Sequence, residues 1–477
     1  MRRLPILLFT LAACRSTSQV PIDAPLAALD AQVPHIMEQA QVPGMSVAVI
    51  HGHDVHVKTY GVTKANTTER VSERTVFEAA SLSKPVFAYA VMKLVEQGKL
   101  DLDRPLSEYV KEPFINDPRA EKITARVALS HRTGFQNWRQ DKPLQIFFEP
   151  GTRFSYSGEG YVYLQRAVEA ITHEPLDTFM HRTVFAPLGM TDSSYVWQPA
   201  YETQKAWAHF EAGNPATRDV MRTPFAASTL HTTAADYGRF IAAILERRGI
   251  SDTSVRNMMR PEVAVPESCA MCATIADPGP NSTTLSWGLG WSLLSANGHR
   301  YFWHWGDNGT FKAYVLGDDT RKSAVVMFMN GASGLAIAGD VAAIAMGETP
   351  GPGSIAQQPL DWAKYDRWDS PAKLALHDIL TSSDGVGRLR AKPEIPESGV
   401  NSIGYALMRG DHLGDAIEVF RLNTQRHPDS WNAWDSFGDA LSKAGRRAEA
   451  IDAYAKSVEL NPDNTKAAAA LTKLRAP

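Results

Sequence analysis

The chain has 477 residues, more than one hydrophobic core usually serves, so two or three domains are expected. Hydrophobic residues make up 44% and charged residues 21%, ordinary proportions for a globular protein. A formal net charge of -3 and the lack of any basic block exclude the electrostatic footprint of a nucleic-acid-binding protein.

At the start, Arg2 and Arg3 precede a mostly apolar stretch, Ile6 to Ala13. It is far shorter than the about 20 residues that a bilayer span needs, and it reads as an export signal. The stretch closes on Leu11-Ala12-Ala13-Cys14, which resembles the lipobox of bacterial lipoproteins. That resemblance implies a cleaved signal peptide over residues 1–13 and lipid attachment at Cys14. The mature chain would then be periplasmic, meeting a membrane only through its lipid anchor. An ordinary signal peptide cut at small residues is the alternative.

Residues 45–62 alternate as a strand pair, MSVAVI and HVKTYGV, around a turn at Gly52–Asp54. His51, His53 and His56 gather at that turn, where solvation explains them better than zinc. From Ser81 to Gln97, Phe87, Ala90, Val91, Leu94 and Val95 recur at helical spacing and form one apolar face. Residues 100–250 read as mainly helical, with turns at 150–152 and 187–190. Cys269 and Cys272, amid Pro261, Pro266, Pro278 and Pro280, suggest a small local disulfide in a loop. Strand-like runs return at Trp287–Leu294, Arg300–Trp305, Phe311–Leu316 and Ala324–Asn330, and a helix spans Leu335–Met346. Strands at both ends of a helical block imply one sheet assembled from distant segments.

Residues 347–369 read as a linker, because 348–359 run ETPGPGSIAQQP, and residues 370–396 as a helical connector. Over 397–477 the chain matches itself at a 34-residue shift: Ile403-Gly404 on Phe437-Gly438, Leu407 on Leu441, Phe420 on Tyr454, Pro428 on Pro462. That period resembles two tetratricopeptide repeats, with Thr465–Leu474 as a capping helix and a possible protein partner implied.

Ser81-Leu82-Ser83-Lys84 is an SxxK motif, and residues three apart on a helix share a face. Lys84 can therefore stand beside the Ser81 hydroxyl, which needs a neighbouring base to become a nucleophile. A second copy, Ser370-Pro371-Ala372-Lys373, reads as chance. The first copy sits in VFEAASLSKPVFAYAVMKLVEQGKL, followed in order by ITARVALSHRTGF, PGTRFSYSGEGYVYLQRAVE, FAPLGMTDSSY and WGLGW. Over residues 25–346 these segments resemble the β-lactamase-related serine hydrolases (class C β-lactamase and CubicO-like) with the penicillin-binding-protein fold. No GxSxG is present, which counts against an α/β-hydrolase.

The resemblance implies an α/β (α+β) fold of the β-lactamase/transpeptidase type: an antiparallel sheet with a helical subdomain, here followed by an all-α region. It implies Tyr156 as partner base, its phenolate favoured by Lys84, and His304-Trp305-Gly306 on the strand lining the site, with His304 contacting substrate or the Tyr156 oxygen. The backbone N–H groups of Ser81 and Asp307 would form the oxyanion hole. Ser157, Gly158, Trp305 and Gly306 would line the substrate pocket, while Ser130-His131 would support the site structurally. Gly158 replaces the family Asn, and Trp305 replaces a Thr that would help hold a carboxylate. Trp305 would instead wall the acyl pocket. The reading is a serine hydrolase, free of cofactor and metal, that acylates Ser81 with a small-molecule or peptide substrate. A D-amino-acid peptide or small ester is favoured over a β-lactam. The rivals are a genuine β-lactamase and a catalytically weak scaffold whose repeats bind a partner.

Overall fold

The computed structural model describes residues 22–139 and 141–476; the signal stretch and Cys14 lie outside the described residues. No helix among the described residues is long and apolar enough to cross a membrane.

Helix α1 (Asp23–Gln39) leads into β1 (Gly44–His51) and β2 (Asp54–Gly61). Helices α2 (Ser83–Glu96), α3 (Gly158–Thr172) and α4 (Ala234–Leu245) belong to the intervening block. The chain then returns through β3 (Val263–Pro266), β4 (Asn281–Trp287), β5 (Ser292–Ala296), β6 (His299–Asp307), β7 (Lys312–Asp318) and β8 (Ser323–Met329) to α5 (Gly334–Ala345). The eight strands form one sheet in the order β2-β1-β8-β7-β6-β5-β4-β3, every neighbouring pair antiparallel.

Strand side chains alternate between faces, so a strand covered on both sides carries apolar residues at every position. In β1, Ala48 and Ile50 join the core beneath the helical block, while Met45, Val47 and Val49 join the core beneath α1 and α5. In β8, Ala324, Val326 and Phe328 face the first core and Val325, Met327 and Met329 the second.

Three sequence expectations change. Helix α2 is buried nearly all round, from Ser83 to Met92, rather than along one face, because it runs through the middle of the helical block. Residues 100–250 carry long irregular stretches between short helices, held by side-chain bonds to backbone such as Arg119 Nη2 to Ile146 O (2.9 Å) and Gln165 Nε2 to Pro224 O (3.0 Å). Trp287–Leu294 is two strands and a turn. Gly290 has φ +86°, and a Cβ there would lie 2.3 Å from the Ala88 Cβ of α2.

Residues 347–369 include helix α6 (Gln358–Trp362) and pack onto the domain. Trp362 Nε1 donates to Pro266 O (2.7 Å), Arg367 grips both Asp340 oxygens (2.7 and 2.9 Å), and Tyr365 Oη donates to Asp307 Oδ2 (2.7 Å). An all-helical region follows: α7 (Pro371–Thr381), α8 (Glu397–Arg409), α9 (Leu413–Arg426), α10 (Trp431–Lys443), α11 (Arg447–Leu460) and α12 (Thr465–Arg475), with a short helix Gly385–Arg390 after α7. A Cβ at Gly404 would strike the Phe420 ring at 2.6 Å, and one at Gly438 the Tyr454 ring at 2.8 Å. Arg409 pairs with Glu211 (2.7 Å), tying this region to the sheet domain.

Gly290→Ala combines a left-handed backbone with a clash against α2. It should cost about 2 kcal/mol or more, read as a lowered urea midpoint at unchanged m-value.

Candidate active site

Ser81 lies in a short 3-10 turn, Ala80–Leu82, that feeds directly into α2. Ala80 before it is left-handed (φ +48°), a conformation that costs an L-residue roughly 1–2 kcal/mol. Its surroundings hold it there. Tyr237 Oη donates to Leu82 O (2.9 Å), Tyr195 Oη to Ser83 O (2.7 Å), and Ser83 Oγ to Ala80 O (2.5 Å). On the other side β6 presses against the turn. A Cβ at Gly306 would lie 2.4 Å from Ala79 O and 3.2 Å from the Ala80 Cβ, so only glycine fits the approach.

Lys84 is fully buried, and its Nζ sits 3.0 Å from Ser81 Oγ and 2.8 Å from Ala227 O. It makes no ion pair with a carboxylate among the described residues, and burial drives its pKa well below the ordinary lysine value. A neutral amine has two N–H bonds and a lone pair. One N–H satisfies Ala227 O, leaving the lone pair free for the Ser81 proton.

Tyr156 is 4% exposed, and the Lys84 Nζ lies 4.8 Å from its ring centroid. Its hydroxyl is buried without a hydrogen-bond partner. Burial raises its pKa, against a smaller lowering from the Ser81 hydroxyl, which favours a phenol over the phenolate expected above. The ring is gripped on several sides: His131 stacks on it at 4.2 Å and Trp305 lies at 5.0 Å. Its N–H donates to Ala270 O (2.9 Å), inside the loop closed by the Cys269–Cys272 disulfide.

His304 is fully buried on β6, its Nδ1–H donating to Trp305 O (2.7 Å). Its Nε2 has no partner, so the expected bond to the Tyr156 oxygen is not made. Burial and then the nearby Lys84 push its pKa down to about 3. His304 is therefore a neutral acceptor at neutral pH.

Asn308 N–H donates to Phe311 O, closing the β6–β7 turn. By ladder alternation the Asp307 N–H points away from β7, on the side where β5 has ended at its Ser292–Trp303 pair. That amide is free to serve an oxyanion. The Asp307 carboxylate is held by Lys312, by Tyr365 and by Gly309 N–H (2.7 Å).

The pocket residues separate. Ser157 is fully buried and caps α3, accepting Gly160 N–H (3.2 Å) and donating to Gln136 O (3.0 Å), so it is a helix cap and not a substrate contact. At Gly158 a Cβ would meet the Trp138 ring at 2.6 Å, so this indole occupies the space of the missing side chain. Trp305 is 7% exposed and packs on Tyr156, Trp303 and Trp362, bracing the tyrosine rather than forming an open wall. Trp138, at 38% exposed, presents aromatic surface over Gly158.

Sequence reasoning missed Trp138, Tyr195, Tyr237, Ala227 and Tyr365, which act through irregular segments or backbone atoms. His131 was placed in a supporting role. It accepts Ser157 N–H at Nδ1 (3.0 Å) while stacking on Tyr156.

The turn at Ser81, the buried Lys84 at its hydroxyl and the buried Tyr156 phenol come together in one place. A family model described as Beta-lactamase matches residues 29–345, so the chain belongs to the beta-lactamase family. It is 28% identical over 297 residues to "Penicillin-binding protein 4" of Amycolatopsis lactamdurans, covering 57% of this chain and 77% of that relative. It is 25% identical over 301 residues to "Lovastatin esterase" of Penicillium rubens, covering 50% of this chain and 75% of that one. The octameric penicillin-binding protein homologue from Pyrococcus abyssi has the same fold, with a TM-score of 0.58 at 21% identity over 68% of this chain and 78% of its own. The all-helical region lies beyond the matched range.

The buried histidines predict acid sensitivity. His304 at about 3 and His231 at about 4 refuse protons that the unfolded chain accepts near 6.5. Stability present above pH 6.5 is thus lost as pH falls toward 4, at roughly 1.4 kcal/mol per pH unit for each such histidine. Urea midpoints between pH 7.5 and 4.5 should show this, and His304→Gln should remove about one proton from the slope.

Proposed function

We propose that this protein hydrolyses an amide or ester through an acyl-enzyme on Ser81, with a preference for apolar acyl groups. The observation that carries the reading is the Lys84 Nζ at 3.0 Å from Ser81 Oγ, fully buried and without a carboxylate partner. As Ser81 Oγ attacks the substrate carbonyl, the neutral Lys84 takes its proton. The developing oxyanion is received by the N–H groups of Ser81 and Asp307. Tyr156, as a phenol, protonates the leaving group and is reprotonated from Lys84. Water then attacks the acyl-enzyme, giving its proton to the same pair, and Ser81 leaves protonated.

Trp138 over Gly158, with Met271 (58% exposed) contacting Asn137 beside it, offers an apolar rim for the acyl group. A neutral His304 gives no charge to hold a substrate carboxylate, which ranks β-lactams behind esters and apolar amides. The relatives' names, a penicillin-binding protein and an esterase, support acyl transfer without choosing between them. The mechanism calls on no metal or cofactor.

The Cys269–Cys272 disulfide supports an oxidising, exported location, and the Leu11–Cys14 segment supports a lipid anchor. The paired contacts Gly404–Phe420 and Gly438–Tyr454, 34 residues apart, support two tetratricopeptide repeats that present a surface to a protein partner.

A fluorophosphonate probe should label the wild type, with labelling abolished in Ser81→Ala and slowed at least about 100-fold in Lys84→Met. No labelling of the wild type would sink the reading in favour of a non-catalytic scaffold. Its rate should climb with pH until Lys84 is neutral, with no separate limb near pH 6.5 from His304. Among p-nitrophenyl esters, Trp138→Ala should lower kcat/KM for bulky acyl chains about tenfold and leave acetyl esters nearly unchanged. Nitrocefin hydrolysed as fast as the best ester would overturn the substrate ranking.

A further inference from the structure

One residue of the oxyanion hole brings a carboxylate with it. On the hydrolase reading the Asp307 N–H receives the developing oxyanion, yet the side chain of the same residue is an acid. A carboxylate so close would oppose the charge that forms, unless it is paired and held turned away.

Its two oxygens are held differently. Oδ1 accepts the Gly309 N–H (2.7 Å) and the Lys312 ammonium, both from the β6–β7 hairpin itself. Among the described residues Oδ2 has a single partner, the Tyr365 hydroxyl at 2.7 Å, which comes from the connecting segment 58 positions along the chain. Burial and then the Asp307 charge raise the Tyr365 pKa, so this group donates as a phenol. With Oδ1 alone tied, the carboxylate would keep a pivot. The bond to Oδ2 removes it and fixes the plane of the group.

The segment delivers Tyr365 from a fixed backbone. Lys364 before it is left-handed (φ +64°) and follows α6, and the Tyr365 N–H donates to Leu360 O (3.0 Å). Upstream, Trp362 packs edge-on against Trp303 and Trp305 of β6, each at 6.0 Å. Downstream, Arg367 and Trp368 both bond the Asp340 carboxylate of α5. Anchors on both sides thus aim the hydroxyl at the β6–β7 turn.

We propose that Tyr365 is a positioning residue for acyl transfer on Ser81: by holding Asp307 Oδ2 it keeps the carboxylate turned from the oxyanion and the Asp307 N–H in place. The inference rests on the hydrolase reading and extends it to a residue beyond the matched range 29–345. Tyr365 acts through Asp307 and needs no contact with substrate.

Kinetics of the full chain on p-nitrophenyl esters test the role. Tyr365→Phe keeps the ring and its packing. It should lower kcat about five- to tenfold with KM nearly unchanged, the pattern of an interaction made only in the transition state. Acylation and deacylation pass through the same oxyanion hole, so the loss appears in kcat whichever step limits it. Trp368→Phe loosens the same segment on α5 without touching Asp307, and should leave kcat nearly unchanged. In an Asp307→Ala background, Tyr365→Phe should have no further effect, because the group it holds is gone. Unchanged kcat in Tyr365→Phe, a change confined to KM, an equal loss in Trp368→Phe, or losses that multiply in the double variant would each overturn the assignment. Fluorophosphonate labelling of the wild type, absent in Ser81→Ala, tests the hydrolase reading separately. With that labelling present, a Tyr365→Phe variant as fast as the wild type defeats the positioning role alone; without it both fall.

Discussion

An amine buried in a protein interior must either find a carboxylate or give up its proton, and the active site is arranged around the second outcome at Lys84. Desolvation of an unpaired ammonium is costly, and it drives the Lys84 pKa well below the ordinary lysine value. The groups around it keep to the same rule. His131 and His304 are held neutral by burial, Tyr156 is held as a phenol, and the packing between them is Trp287, Trp305 and Tyr161. Lys205 makes the contrast: it is also buried but touches Glu78 at 2.6 Å, the carboxylate contact that Lys84 lacks. A carboxylate placed at Lys84 in the same way would keep the ammonium protonated and leave Ser81 without a base.

A neutral lysine is of use only if Ser81 Oγ stays within hydrogen-bond reach, and that depends on a backbone turn that would not persist alone. The left-handed Ala80 survives because the carbonyls on either side of the serine are claimed by Tyr195, Tyr237 and Ser83, and because β6 closes on the turn at Gly306. The strand does two jobs at that point. Its glycine permits the approach, and the next residue, Asp307, turns an unbonded N–H outward. A side chain at 306 would push β6 and the Ala79–Ala80 backbone apart.

What could be read in advance follows from how each element is specified. β1, α2 and α5 are dense apolar runs and β2 alternates, so they are legible, as is the grouping of Ser81, Lys84 and Tyr156 from motif context. The two-strand turn at Trp287–Ser292 was not, because its glycines look like strand residues until the contact of Gly290 with Ala88 is seen. The helical block was over-read as helix for a related reason. Its loops are fixed by pairs far apart in sequence, such as Arg126 with Glu262 and Arg132 with the same carboxylate. Gly158 was recognised as a departure, but the Trp138 ring that fills its space comes from a loop with no pattern of its own.

The connecting segment shows why composition misleads most where structure is aperiodic. Residues 348–359 are rich in Pro, Gly and Gln, yet the stretch that follows places Trp362, Tyr365, Arg367 and Trp368 as four separate anchors on the sheet domain. One of them, Tyr365, bonds the carboxylate of Asp307, whose backbone amide faces the catalytic serine's side of β6. The family match ends at residue 345, so this contact to Asp307 comes from beyond the matched range. The same residue lines an interdomain cavity, and the helical region begins six residues later, at Pro371. Loss of Tyr365 would take one of three partners from the Asp307 carboxylate, leaving Lys312 and the Gly309 N–H to hold it.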